Sequence, residues 1–234
     1  MARNNYDFTS ESVSEGHPDK VCDGLSDAIL DEIIRVDPKA RVGCEAFATT
    51  NRVVIGGEVG FSPELNLKMA DIDYESIVRH CIREIGYEQE GFHWKTLIFE
   101  NYLHEQSADI ALGVDKDGAG DQGIMFGYAV NETAELMPAP IHYAHAILKE
   151  LSEARRKELS GVLGPDSKSQ ITVEYKNEEP VAVKSIVLST QHFDPNLSSE
   201  NVKEIIEPYV AGVLPNDWIT SETIWHVNPT GKFV

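Results

Sequence analysis

Residues 14–20 read Ser-Glu-Gly-His-Pro-Asp-Lys, and they set an imidazole and a carboxylate on either side of a proline just where an amphipathic helix begins. Proline suits the first helical position, because its missing N–H is not needed there and its φ is already helical. Asp19 in the first turn meets the positive end of the helix dipole. From there the apolar positions Val21, Leu25, Ala28, Ile29 and Ile33 follow helical spacing with one buried face. Two chemistries fit the stretch. In one, His17 is a solvated loop residue at a well-formed helix start. In the other, the free N–H groups of the helix terminus receive phosphate, with His17 as a donor beside it and Asp19 holding a cation.

A second stretch breaks all periodicity. Residues 111–123, "ALGVDKDGAGDQG", place four glycines and three aspartates in one segment and predict a mobile loop of functional type. It is not a calcium loop of the helix–loop–helix kind. Ala119 stands where a third ligand belongs and Phe126 where the bidentate glutamate would be. Phosphate-loop, dinucleotide-fold and hydrolase-elbow patterns are absent, and so is a Cys-x-x-Cys pair.

The elements that must position these residues alternate between helix and strand. Residues 40–50 and 52–61 read as two strands turning at Thr50-Asn51. Residues 73–86 form a helix with Asp73 as N-cap and Gly86 just past its end, and "KTLIFENYL" is a strand. Downstream, "IMFGYAV" reads as a strand, and Pro138 or Pro140 opens a helix carrying Ile141, Ala144, Leu148 and Leu151. Strands over "SQITVEY" and "KSIVLSTQHF", a helix over 198–210 and a last strand over "SETIWHVN" follow. The pattern implies two mixed α/β halves with no visible repeat and no Pro/Ser-rich linker.

Composition narrows the partners. The 234 residues carry 39 acidic and 20 basic side chains, a net charge of −19, with no basic run longer than Ala154-Arg155-Arg156-Lys157. Non-specific nucleic-acid binding and attachment to an anionic membrane surface are disfavoured, since both need a basic footprint. Cys22, Cys44 and Cys81 are odd in number, far apart and set in patterned apolar segments, so they read as reduced core thiols and not as a disulfide frame or zinc site. The N-terminus is polar, no run reaches transmembrane length, and a cytoplasmic protein is expected.

Four stretches, "FTSESVSEGHPDK" at 8–20, "EQSADI" at 105–110, "GAGDQGIMFGYA" at 118–129 and "DSKSQITVEY" at 166–175, together resemble the methionine adenosyltransferase (S-adenosylmethionine synthetase) family. "LMPAPI" at 136–141, "VLSTQH" at 187–192 and "NPTGKFV" at 228–234 extend the resemblance along essentially the whole chain. It implies an α/β fold of mixed sheets, two similar domains of a three-domain, pseudo-threefold architecture. These would be an N-terminal domain over 1–108, a mobile active-site loop over 109–120 and a central domain over 121–234. It also implies a homo-oligomer, a dimer or tetramer whose flat sheet faces meet, with the active site between subunits.

The implied reaction joins ATP and L-methionine to give S-adenosylmethionine, with hydrolysis of the displaced triphosphate. By the same resemblance His17 and Lys168 are catalytic, and His17, Asp166, Lys168, Lys232 and Phe233 contact ATP. Glu58, Gln106 and Asp121 contact methionine; Asp19 holds Mg²⁺ and Glu45 holds K⁺. Two departures stand out. Ala108 replaces the family's usual proline, and the 111–117 loop is shorter than in some members. A third domain with further basic residues, usual in the family, is also not found here. The alternative expectation is therefore a non-catalytic ATP-binding or assembly subunit.

Overall fold

The computed structural model describes residues 4–106 and 122–234. Two compact units result, one from residues 18–126 and the other from residues 1–17 with 127–234.

The unit of residues 18–126 begins with α1 (Pro18–Val36), whose Val21, Leu25, Ile29 and Ile33 are all buried, as their spacing predicts. Then come β2 (Arg41–Thr49) and β3 (Arg52–Gly60), joined through Asn51 at φ 50. α2 (Tyr74–Ile85) starts at Asp73, whose carboxylate accepts from the Ser76 N–H, and stops at Gly86 with φ 101. Those are the cap and stop expected from the residue types. β6 (Ile98–Glu105) completes a sheet of order β2-β3-β6, the hairpin antiparallel and β3-β6 parallel. A minor hairpin of β4 (Glu88–Gln89) and β5 (Phe92–His93) precedes it. Both helices share one core with the sheet, where Val53, Ile55 and Val59 meet the α1 and α2 stripes.

In the other unit α3 (Ala139–Arg156) leads into β7 (Leu163–Lys176), β8 (Glu179–His192), α4 (Ser199–Val213) and β9 (Ile224–Val227). β7-β8 is antiparallel and β8-β9 parallel. Each unit thus follows the same path of helix, hairpin, crossover helix and parallel strand. The repeat is invisible in the residues because only the apolar pattern is shared, not the side chains.

The second sheet has one strand more. β1 (Asn5–Val13) pairs antiparallel with β7, from Asn5 opposite Lys176 to Val13 opposite Lys168. β1 thereby completes the later sheet, and the compact unit that holds it joins residues 1–17 to 127–234. The strand expected over 124–130 is not formed. Residues 122–130 carry no regular structure, and Ile124, Met125, Phe126 and Tyr128 are exposed. Glycines at 123 and 127 weaken the segment as a strand, and no neighbouring strand pairs with it among the described residues. The expected 109–120 loop and Asp121 lie outside the described residues. Cys22, Cys44 and Cys81 are free thiols, half-buried at the edge of the core. No described helix is long and apolar enough to cross a membrane.

Candidate functional site

The loop after β1 is fastened to β7 by a reciprocal set of bonds. The Ser14 N–H donates to Ser167 O at 2.8 Å, the Ser14 hydroxyl donates to Pro165 O at 2.7 Å, and that hydroxyl accepts from the Ser167 N–H at 2.8 Å. Gly16 lies so close to β7 that an added Cβ would stand 2.4 Å from the Pro165 carbonyl carbon, so only glycine fits. Glu15 turns the other way and is clamped at the end of α3 by Arg155 at 2.7 Å, Arg156 at 2.6 Å and the Ser152 hydroxyl. His17, whose N–H donates to Ser14 O, is thereby delivered beside Asp166 and Lys168 of β7.

This group has a marked electrostatic character. Burial pushes the Asp166 carboxyl above its ordinary range, while His17 and Lys168 pull it back without cancelling the rise. Asp166 Oδ1 is enclosed and has no hydrogen bond among the described residues. Lys168 is exposed two positions further along the strand. A partly buried acceptor between two groups able to carry positive charge suits a polar, anionic ligand with donors of its own.

The last segment of the chain is held against β8. Asn228 uses its side chain as a strand would, accepting from Thr190 N–H at 2.8 Å and donating to Thr190 O at 3.1 Å. The His192 N–H donates to Phe233 O at 2.8 Å, and the Phe233 N–H points at His192 Nε2 at 3.5 Å. His192, Thr190 and Asn228 are buried, whereas Lys232 is exposed.

The unit of residues 18–126 carries a separate group. Glu58 follows Gly57, whose φ of 121 brings the hairpin backbones so close that a Cβ would lie 2.0 Å from Gly43 O. The Gln106 amide donates from Nε2 to Glu58 Oε1 at 3.1 Å, and its Oε1 accepts from Arg41 Nε at 2.6 Å. Glu45 is exposed on the sheet face away from the helices, with Gly56 opposite it and Gly43, two residues before it, opposite Glu58. Asp19 is exposed in the first turn of α1.

The residues expected from sequence thus fall into two described groups: His17, Asp166 and Lys168, with Lys232 and Phe233 further along the same unit; and Glu58 with Gln106, with Glu45 on the same sheet. Arg41, the Glu15 clamp, Asn228 and His192 were not anticipated. "VLSTQH" and "NPTGKFV" are recognisable as motifs, but no spacing reveals that His192 meets Phe233. A cleft of about 320 Å³ between β1 and α3, lined by Ser12, Glu15, His145, Lys149, Ser152 and Arg156, contains none of the expected site residues. No cluster of three or more metal-ligating side chains occurs among the described residues.

Comparison with known proteins divides the chain in the same order. Residues 5–108 match the family model "S-adenosylmethionine synthetase, N-terminal domain" and residues 116–233 match "S-adenosylmethionine synthetase, central domain". The chain is 64% identical to the S-adenosylmethionine synthase of Jannaschia sp. (strain CCS1) over 239 aligned residues, covering all of this chain and 61% of that protein. It is 60% identical to that of Paracoccus denitrificans and 59% identical to that of Ruegeria pomeroyi, again over its whole length and 60% and 61% of theirs. The chain therefore spans about three fifths of the curated relatives it matches.

Proposed function

This chain belongs to the S-adenosylmethionine synthetase family, and on that premise we propose that it carries methionine adenosyltransferase machinery, forming S-adenosylmethionine from ATP and L-methionine. In that reaction the methionine sulfur forms a bond to C5′ of the ribose as the C5′–O bond breaks. The electron pair leaves with the triphosphate, which water then cleaves to diphosphate and phosphate. A thioether is a soft nucleophile without a proton to lose, so no general base is required. Catalysis reduces to alignment and to stabilising the charge that gathers on the departing triphosphate.

The observation that carries this reading is the grouping of His17, Asp166 and Lys168. His17 donates to the oxygen that gains charge, and Lys168 holds a phosphate as a point charge. Asp166, with an enclosed oxygen that has no partner among the described residues, accepts from the nucleoside. Lys232 and Phe233, locked to β8 through His192 and Asn228, hold the nucleotide further along. Glu58 and Gln106, together with Asp121, receive the ammonium group of methionine.

Asp19 is a single exposed carboxylate. That donor suits Mg²⁺, which is commonly bound through one or two carboxylates plus substrate phosphates; Glu45 would serve K⁺. When bound, these cations supply positive charge to phosphate oxygens. The open face of the β2-β3-β6 sheet exposes Phe47, Ile98 and Tyr102 and supports a homo-oligomer joined through that face. Free thiols fit the cytoplasm.

The test is formation of S-adenosylmethionine from ATP and methionine with Mg²⁺ and K⁺, by this chain and by one extended to the length of its relatives. His17→Asn is expected to lower turnover by about a hundredfold or more while ATP binding changes far less. Equal losses in both would remove His17 from the transition state. Silence of both chains would favour an ATP-binding or assembly role.

A further inference from the structure

We propose that Arg41 is a positioning residue of the amino-acid side of the site: it fixes the Gln106 amide so that Glu58 is held with its second oxygen free for the ammonium group. The inference rests on the reading of Glu58 and Gln106 as methionine contacts and adds a residue to it.

The argument starts from donor chemistry. A guanidinium only donates and a carboxylate only accepts, so the amide between them has a single orientation that satisfies both. Arg41 Nε meets Gln106 Oε1 at 2.6 Å, and Gln106 Nε2 meets Glu58 Oε1 at 3.1 Å. Turned by 180°, the amide would set its oxygen against the carboxylate and its NH₂ against the guanidinium, losing both bonds.

Backbone geometry holds the ends of this chain of bonds. Arg41 opens β2 opposite Gly60, the last residue of β3. Gln106 follows β6 directly, and its N–H donates to Val59 O at 3.0 Å. Gly60 leaves the room: a Cβ there would come within 3.0 Å of both Arg41 Nη2 and Gln106 Oε1. Arg41, Gln106 and Glu58 are all partly buried, so the bonds are shielded in part from competing water. Glu58 Oε1 is occupied by the amide, and Oε2 has no hydrogen bond among the described residues. A carboxylate held at one oxygen and open at the other suits a single ammonium group.

The experiment compares the parent protein with Arg41→Met, Arg41→Lys and Glu58→Gln, the last as a control of the methionine reading. In ¹H–¹⁵N spectra the Gln106 side-chain NH₂ pair, assigned by its loss in Gln106→Ala, is expected at two well-separated shifts in the parent. It should collapse toward free-amide positions in Arg41→Met and recover in part in Arg41→Lys. Titration with L-methionine should show binding weakened about tenfold in Arg41→Met with ATP affinity unchanged within about twofold. An unmoved NH₂ pair, or equal losses for methionine and ATP, overturns the role of Arg41. If Glu58→Gln binds methionine as the parent does, the methionine reading fails, while the NH₂ pair still decides whether Arg41 orients the amide.

Discussion

Asp166 is a carboxyl in a place that resists its charge. Its carboxyl sits above the ordinary value of 3.8 because burial outweighs His17 and Lys168, so the folded state binds the proton more tightly than the unfolded chain. Stability is therefore lost as pH rises from the ordinary carboxylate range through the raised folded value. Asp166→Asn should unfold at a higher temperature than the parent at pH 8, the gap closing as pH falls toward 4, and should bind ATP more weakly. Thermal unfolding across that range and a nucleotide titration check both halves. A stabilised variant with full ATP affinity would make Asp166 a structural liability with no role in binding. Two glycines are fixed by close backbone approach, since Gly16 against Pro165 and Gly57 against Gly43 stand where any Cβ would collide with backbone.

Among the elements, the junction after α1 has a carboxylate with the opposite sign. Asp37 is 1% exposed and receives the Ser62 N–H at 2.6 Å, the Ser62 hydroxyl at 2.8 Å and the Lys39 N–H at 3.0 Å. Burial opposes its charge, but the bonds from Ser62 and Lys39 outweigh burial and hold the carboxyl below its ordinary value. Its contribution is complete above the ordinary carboxylate range and disappears as pH falls through the lowered folded value. Asp37→Ala should cost about 1–3 kcal/mol at pH 7, because the Ser62 and Lys39 donors lose their acceptor. Urea unfolding at several pH values should show the difference shrinking in acid. The element joined by Asp37, the β2-β3 hairpin, is the one that bears Glu45 and Glu58, so methionine binding should also be the activity most sensitive to this change.

For the whole molecule, the proposed assembly is testable at the face of the β2-β3-β6 sheet away from its helices. Phe47 and Tyr102 are 62% and 64% exposed there, with Ile98 on the same face. Apolar side chains standing out from a sheet are a cost in water and a contact when a second copy covers them. If the proposed homo-oligomer joins through this face, Phe47→Glu combined with Tyr102→Glu should give a 26.0 kDa monomer without lowering its helix content. Sedimentation velocity together with circular dichroism reads both. A parent that sediments as a monomer would remove this face from assembly.

Local chemistry made much of this legible. Asp73 and Gly86 bound α2, Pro138 precedes α3 and the Asn51 turn closes the first hairpin, because caps and turns depend on residues within a few positions. The Ser-Glu-Gly-His-Pro-Asp-Lys stretch was likewise legible as a helix start, with Pro18 opening α1. The pairing of β1 with β7 was not legible. "NYDFTSESV" lacks alternating apolar residues, and its partner lies more than 150 positions away. Nor could the sequence tell that 124–130, apolar enough for a strand, would find no strand beside it. Arg41, Gln106 and Glu58 meet only because β2, β3 and β6 lie side by side, which brings residues 41, 58 and 106 to the same end of one sheet. The chain by itself determined which segments are helix or hairpin and which residue types are available for chemistry, through interactions that span a turn or two. Tertiary structure decided which of those residues touch, because strand pairing and burial join positions whose separation along the chain carries no local signal.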